Sequence, residues 1–174
     1  MQNSTSTIIA LCVAAALLFI APLITLTDRN DNVVQENVEL IVNEFVTDVQ
    51  NTGKITMSKY QEFENRLAAT GNTYDIEMEI QHLDENPGKK TAQANYTKIG
   101  ENVYYSDYTT QILDQLEKNS TISLKQGDRV SVNIKNQNST AAQTLKGSFL
   151  GYSNAGEYVI SASSSGMINV NGSN

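Results

Sequence analysis

The chain has 174 residues, a formal net charge of −7 and a single cysteine. An acidic chain without a Lys/Arg cluster repels a phosphate backbone, which disfavours nucleic acid as a partner. The lone Cys12 excludes an internal disulfide framework and a cysteine-based metal site, and it reads as a small hydrophobe within an apolar run.

That run is Thr7–Thr27, TIIALCVAAALLFIAPLITLT, and the first charged side chain of the protein is Asp28. Roughly 20 apolar residues suffice for a helix to cross a ~30 Å hydrocarbon core. A cleavable export signal has a charged start, a shorter apolar stretch and a small-residue cleavage site. Met1–Ser6 has no charged side chain, and Thr25 and Thr27 are poor stand-ins for alanine at such a site. The expectation is therefore a retained membrane helix, kinked near Pro22, rather than a cleaved signal. The acidic, Asn/Thr-rich remainder is expected outside the cytoplasm, as the C-terminal domain of a single-pass protein of the cell membrane. This divides the chain into residues 1–27, with the transmembrane helix, and an extracytoplasmic domain at 28–174.

After the charged cluster TDRNDN, Val34, Val38, Ile41, Val42, Phe45, Val46 and Val49 recur at helical spacing, with Gly53 as the stop. Whether the helix runs through Thr27–Asn32 or breaks there is left open by the pattern. A second helix fits Met57–Thr70, entered through Thr56 or Ser58, with Tyr60, Phe63 and Leu67 on one face. Tyr74, Ile76, Met78, Ile80 and His82 then alternate with acidic and polar residues, the pattern of a strand wet on one side. Asp84–Lys90, DENPGKK, reads as a turn or loop, followed by a polar stretch with a short extended piece at Val103–Tyr105.

YTTQILDQLEKN reads as a short helix with Ile112, Leu113 and Leu116 inward, and TISLKQGDRVSVNIKN as a hairpin turning at Gln126–Asp128. STAAQTLKGSFLGY suggests another helix, capped by Ser139 or Thr140 and ending between Gly147 and Gly151. The closing EYVISASSSGMINVNG supplies one strand, or two broken at Ser164–Gly166. The class is α+β: an N-terminal transmembrane helix continuing into an amphipathic helix, then a small head with about four antiparallel strands and helices on one face.

Chemistry-bearing patterns are few. Asp28, Asn30, Asn32 and Glu39 match calcium-loop ligand spacing, but Val33 occupies the glycine position, so the cluster reads as a polar collar. His82 has no second His or Cys to share a metal and reads as a core-edge residue. Glu77 and Glu79 lie on the polar side of a strand without pocket residues, which makes them a poor acid/base pair. The serines of GYSNAG and SSSG lack a nucleophile-elbow context and read as turn serines. Tyr104, Tyr105 and Tyr108 are the candidate contact patch. Sequons begin at Asn3, Asn95, Asn119, Asn138 and Asn171. The expectation is a protein without catalytic, cofactor-binding or metal-binding residues.

The plan of an uncharged apolar helix, an amphipathic continuation and a small α+β head resembles that of pilins and pseudopilins. VVQENVELIVNEFV, GKITMSKYQEFENRLAATGNTYDIEME and LKQGDRVSVNIKNQNSTAAQTL with the closing SSSGMI are similar to membrane-anchored proteins of Gram-positive Tad-like or conjugative pilus systems. The resemblance covers most of Val33–Ile168. It implies a structural, non-catalytic component of a surface pilus, secretion or conjugation apparatus, with other pilin-like subunits or pilus assembly proteins as partners and no cofactor. Met1–Thr27 holds no Gly, Lys, Arg or Glu, a departure from the prepilin processing site that points to a minor, anchored subunit. The alternative is a membrane-anchored or secreted binding or adhesion module using the tyrosine patch.

Overall fold

The computed structural model describes residues 2–84, 104–151 and 160–172. Its first element, α1 (Gln2–Thr52), is one uninterrupted helix of 51 residues, about 75 Å long at 1.5 Å per residue. It passes through Pro22 and through the charged cluster after Thr27. The question left open at Thr27–Asn32 is thereby answered: the chain neither breaks nor loops there. Polar side chains in the apolar part bond to their own helix. Thr25 Oγ1 donates to the Ala21 carbonyl (3.1 Å), and Thr27 Oγ1 donates to Leu23 and Ile24 (3.1 and 2.9 Å). α1 is long and apolar enough to cross a membrane, and Ile8, Ile9, Leu11, Leu17, Leu18 and Phe19 are all exposed on it.

The second half of α1 is a core helix. Val38, Ile41, Val42, Phe45, Val46 and Val49 are buried, the stripe expected from their spacing. Gly53 ends the helix with φ +62, and its N–H bonds to the Val49 carbonyl at 2.8 Å. β1 (Lys54–Thr56) and α2 (Met57–Ala68) follow. Thr56 caps α2 by accepting from the Lys59 N–H, and Tyr60, Phe63 and Leu67 are the buried face. Phe45 of α1 stacks on Phe63 with ring centroids 4.5 Å apart.

The main sheet holds β2 (Tyr74–Leu83), β3 (Tyr104–Tyr108), β5 (Arg129–Asn136) and β6 (Ser161–Met167), with α3 (Thr109–Asn119) and β4 (Thr121–Ser123) between β3 and β5 and α4 (Ala141–Leu150) before β6. It is four-stranded, in the order β3-β2-β5-β6, and every neighbouring pair is antiparallel. Period-2 alternation sends Met78, Ile80, Val130, Val132, Ile134 and Ala162 into one core with α1, while α2 and α3 add Phe63, Leu67, Ile112 and Leu116. The α+β class, the long helix and the small antiparallel head stand as read from the sequence.

One local reading is corrected, and one left open is settled. The Thr121–Asn136 stretch is not a hairpin: β4 pairs with β1 through Ile55 and Ile122 in a separate two-stranded sheet, while β5 pairs with β2 and β6. Both strands do have inward apolar residues, but the residue that buries Ile122 is in a distant part of the chain. The last strand is not broken at Ser164–Gly166, because β6 runs through it paired to β5. Gly166 is there for a close approach: a Cβ would lie 2.1 Å from the Gln50 amide. The turn expected at Asp84–Lys90, beyond Asp84 itself, the sequon at Asn95 and the GYSNAG serine lie outside the described residues.

β6 is an edge strand, and α1 closes its two ends with glutamines. Gln35 Oε1 accepts from the Ser161 N–H (2.9 Å) while Gln35 Nε2 donates to the Ser161 carbonyl (2.6 Å). Gln50 Nε2 donates to the Met167 carbonyl at 3.1 Å. A side-chain amide thus takes the place that another strand's backbone would have, which blunts the edge.

Candidate functional site

The pleat sorts the three tyrosines. Directly opposed residues of an antiparallel pair share a face, and the register sets Tyr108 opposite Glu79, Tyr104 opposite Leu83, and Tyr105 opposite His82. Tyr104 and Tyr108 therefore stand on the outer, helix-free face and Tyr105 on the inner one. Tyr108 is exposed; the Arg129 guanidinium lies 4.7 Å from the centre of the Tyr104 ring. Tyr105 packs its ring 5.1 Å from that of His82 at the end of the core.

The middle of the outer face is polar, with Glu77, Glu79 and Gln81 of β2, Ser131 and Asn133 of β5, and Ser163 and Ser165 of β6, and Leu83, Tyr104, Tyr108 and Met167 flank it. Two shallow hollows lie on it, one lined by Glu77, Glu79, Tyr108 and Asn133, the other by Gln81, Arg129, Ser165 and Met167. Its carboxylates are engaged with neighbours. Glu77 accepts from Asn133 Nδ2 (2.7 Å), and Glu79 accepts from Ser106 Oγ (2.7 Å) and Gln81 Nε2 (3.1 Å). The face is suited to polar contact. Three of its serines, Ser161, Ser163 and Ser165, lie on the edge strand β6.

His82 lies between two carboxylates. Its Nδ1 is 3.1 Å from Asp128 Oδ2 and its Nε2 is 3.6 Å from Asp107 Oδ2. Asp128 is buried, and its oxygens also accept from the Leu83 N–H (3.0 Å) and the Lys125 N–H (2.9 Å). With its lone pairs committed to the backbone, Asp128 is a clasp between β2 and the turn before β5. Among the described residues no group of three or more His, Cys, Asp or Glu side chains could hold a metal ion. Asp28, Asn30, Asn32 and Glu39 sit within α1, so their calcium-like spacing is not presented by a loop.

The collar residues have another role. Asp31 is buried and accepts from Thr140 Oγ1 at 2.6 Å, and Asp28 pairs with Lys146 at 2.7 Å. Both bonds fasten α4 to α1. Nothing local in TDRNDN signals this, since the partners are more than a hundred residues away.

A further feature is the face of α1 that the head does not cover. Phe19, Leu26, Val33 and Leu40 recur in seven-residue steps and are 76%, 60%, 64% and 53% exposed. Leu40 is two residues on from buried Val38, about 200° round the helix, so this ladder points away from the head. It continues from the apolar run across the collar without interruption. On the head side, α1 and α2 are tied by the ion pairs Asp48–Lys59 and Glu44–Arg66.

No protein-family model matches the sequence, and neither a curated protein nor a solved structure matches the chain.

Proposed function

We propose that this protein is a structural, non-catalytic subunit, anchored in the cell membrane by Thr7–Thr27 with its head outside the cytoplasm, of a pilin-like assembly. The role is that of a minor pilin or pseudopilin in a surface pilus, secretion or conjugation apparatus. The observation that supports it is the exposed ladder Phe19, Leu26, Val33 and Leu40 on the face of α1 opposite the head. Helices that pack side by side repeat apolar residues at two positions of every seven; the ladder fills one of them throughout, and the other holds Leu23, Asn30 and Asn37. In water Val33 and Leu40 carry a cost that a neighbouring helix removes. A rigid helix with its head on one side leaves the other side for such neighbours.

The test is disulfide trapping in membranes, with Val33→Cys and Leu40→Cys in a Cys12→Ala background. Oxidation is expected to link subunits at both positions and not at Asp75→Cys, which sits on the outer sheet face. Equal, background-level linkage at all three positions, together with a monomeric extract free of assembly proteins, defeats the proposal.

A second reading, an anchored or secreted binding module, is favoured by exposed Tyr108 beside the polar hollow of Glu77, Glu79 and Asn133. It predicts that Tyr108→Ala abolishes adhesion to a surface while leaving subunit linkage intact.

A further inference from the structure

We propose that the last turn of α4, led by Phe149, is a foot that rests in the lipid interface of the membrane crossed by α1 and so sets the tilt of the head. The proposal rests on the reading that α1 is retained in a bilayer. Three observations carry it.

The first is direction. Thr140, at the start of α4, bonds to Asp31, and Lys146, further along, bonds to Asp28. As α4 advances, its partners on α1 step back towards the N-terminus, so α4 descends towards the apolar run. The second is charge. The Asp28–Lys146 pair marks one level on both helices, and beyond it neither helix carries a charge: Met1–Thr27 on one side, Gly147–Leu150 on the other. The third is exposure. Phe149 is 55% exposed although it stands about 4.5 Å further along the helix than Lys146. Ile20, Ile24 and Thr27, which share the helical face of buried Asp31, are half-covered, while Ala21–Leu23, Thr25 and Leu26 are exposed.

An aromatic ring beyond the last charge, beside a helix whose apolar run starts at that same level, lies in the zone between headgroups and acyl chains. Aromatic and leucine side chains of amphipathic helices favour this zone. The occupant is lipid, because the two helices share one charge boundary and the apolar side of that boundary is where α1 meets hydrocarbon.

The chain has no tryptophan, so single substitutions give clean fluorophores. Phe149→Trp, Phe19→Trp and Tyr108→Trp are reconstituted in phosphatidylcholine vesicles with lipids brominated either near the headgroup or near the chain ends. For Phe149→Trp, headgroup-proximal bromine is expected to lower emission about twofold, with a weaker effect from chain-end bromine. Phe19→Trp is expected to be quenched and Tyr108→Trp to be unaffected. Quenching of Phe149→Trp by aqueous iodide but not by brominated lipid, with Phe19→Trp quenched by lipid, overturns the foot and leaves the anchor standing. Blue-shifted emission from Phe149→Trp without lipid quenching also overturns it, since protein and not lipid then covers the ring. Failure of lipid to quench Phe19→Trp overturns both the foot and the anchored reading. If Phe149→Trp does not fold, the wild-type chain is labelled from a diazirine-bearing phosphatidylcholine. Adducts on α4 support the foot, and adducts confined to α1 reject it.

Discussion

Asp128 fastens two separate stretches of backbone. Its two oxygens hold the Leu83 and Lys125 N–H groups and face His82. Truncating a buried acceptor leaves its donors to bear the desolvation, at about 1–3 kcal/mol for each group. Asp128→Ala is expected to lower the stability of the detergent-solubilised chain by about 2–4 kcal/mol in urea titrations. His82→Ala, which leaves Asp128 its backbone donors, is expected to cost less. Tyr60 gives a pH signature. Its buried phenol is pushed well above the ordinary value, first by desolvation and then by the hydrogen bond and charge of Glu64. A folded-state pKa above the unfolded one contributes stability that is whole below about pH 10 and is lost as pH climbs further. Denaturation midpoints are expected to fall more steeply from about pH 10 to about pH 12 in the wild type than in Tyr60→Phe. Of these residues Tyr60 was legible as core from its helical spacing. Asp128 was not, because its partners are a strand end and a turn that only pairing brings together.

At the scale of elements, glycines separate a local requirement from a tertiary one. Gly53 has φ +62, and a Cβ on it would sit 2.5 Å from the Val170 carbonyl oxygen and 2.6 Å from the Gly172 nitrogen. Gly71 has φ +83 with open space around it. Gly71→Ala is expected to cost about 1 kcal/mol, the conformational term alone. Gly53→Ala adds a backbone clash and is expected to cost at least about 3 kcal/mol, read as the difference in melting of the two variants. The helices α2, α3 and α4 and the strand β2 were readable to within a residue or two, because a buried stripe at helical or strand period is a local signal. The partner of β4 was not. Ile122 needs any apolar strand to pair with, and the one available to it was decided by where Gly53 turns the chain.

For the whole molecule, α1 does two jobs on opposite faces. One face is the spine of the head; the other carries the exposed ladder. Val33→Asp with Leu40→Asp is expected to leave the head folded, since neither side chain enters the core, and to lower subunit linkage in membranes at least about tenfold through like-charge repulsion on a desolvated seam. Circular dichroism, unchanged in shape, checks the first half, and cross-linking the second. The asymmetry of the ladder was present in the sequence as Phe19, Leu26, Val33 and Leu40, but it became visible only when the core claimed the opposite face.

By itself the sequence determined what local periodicity and charge can determine: an uncharged run long enough for a bilayer, an amphipathic continuation, the faces of α2, α3 and β2, and the α+β class. These follow from the fixed repeats of helix and strand, which each residue obeys without reference to distant ones. Tertiary structure decided the rest. It carried α1 straight through TDRNDN, because Asp28 and Asp31 found Lys146 and Thr140 and were not left as a loose collar. It also split β4 from β5 and sent Tyr105 away from Tyr104 and Tyr108, since strand partners and register are chosen by contacts across the whole chain.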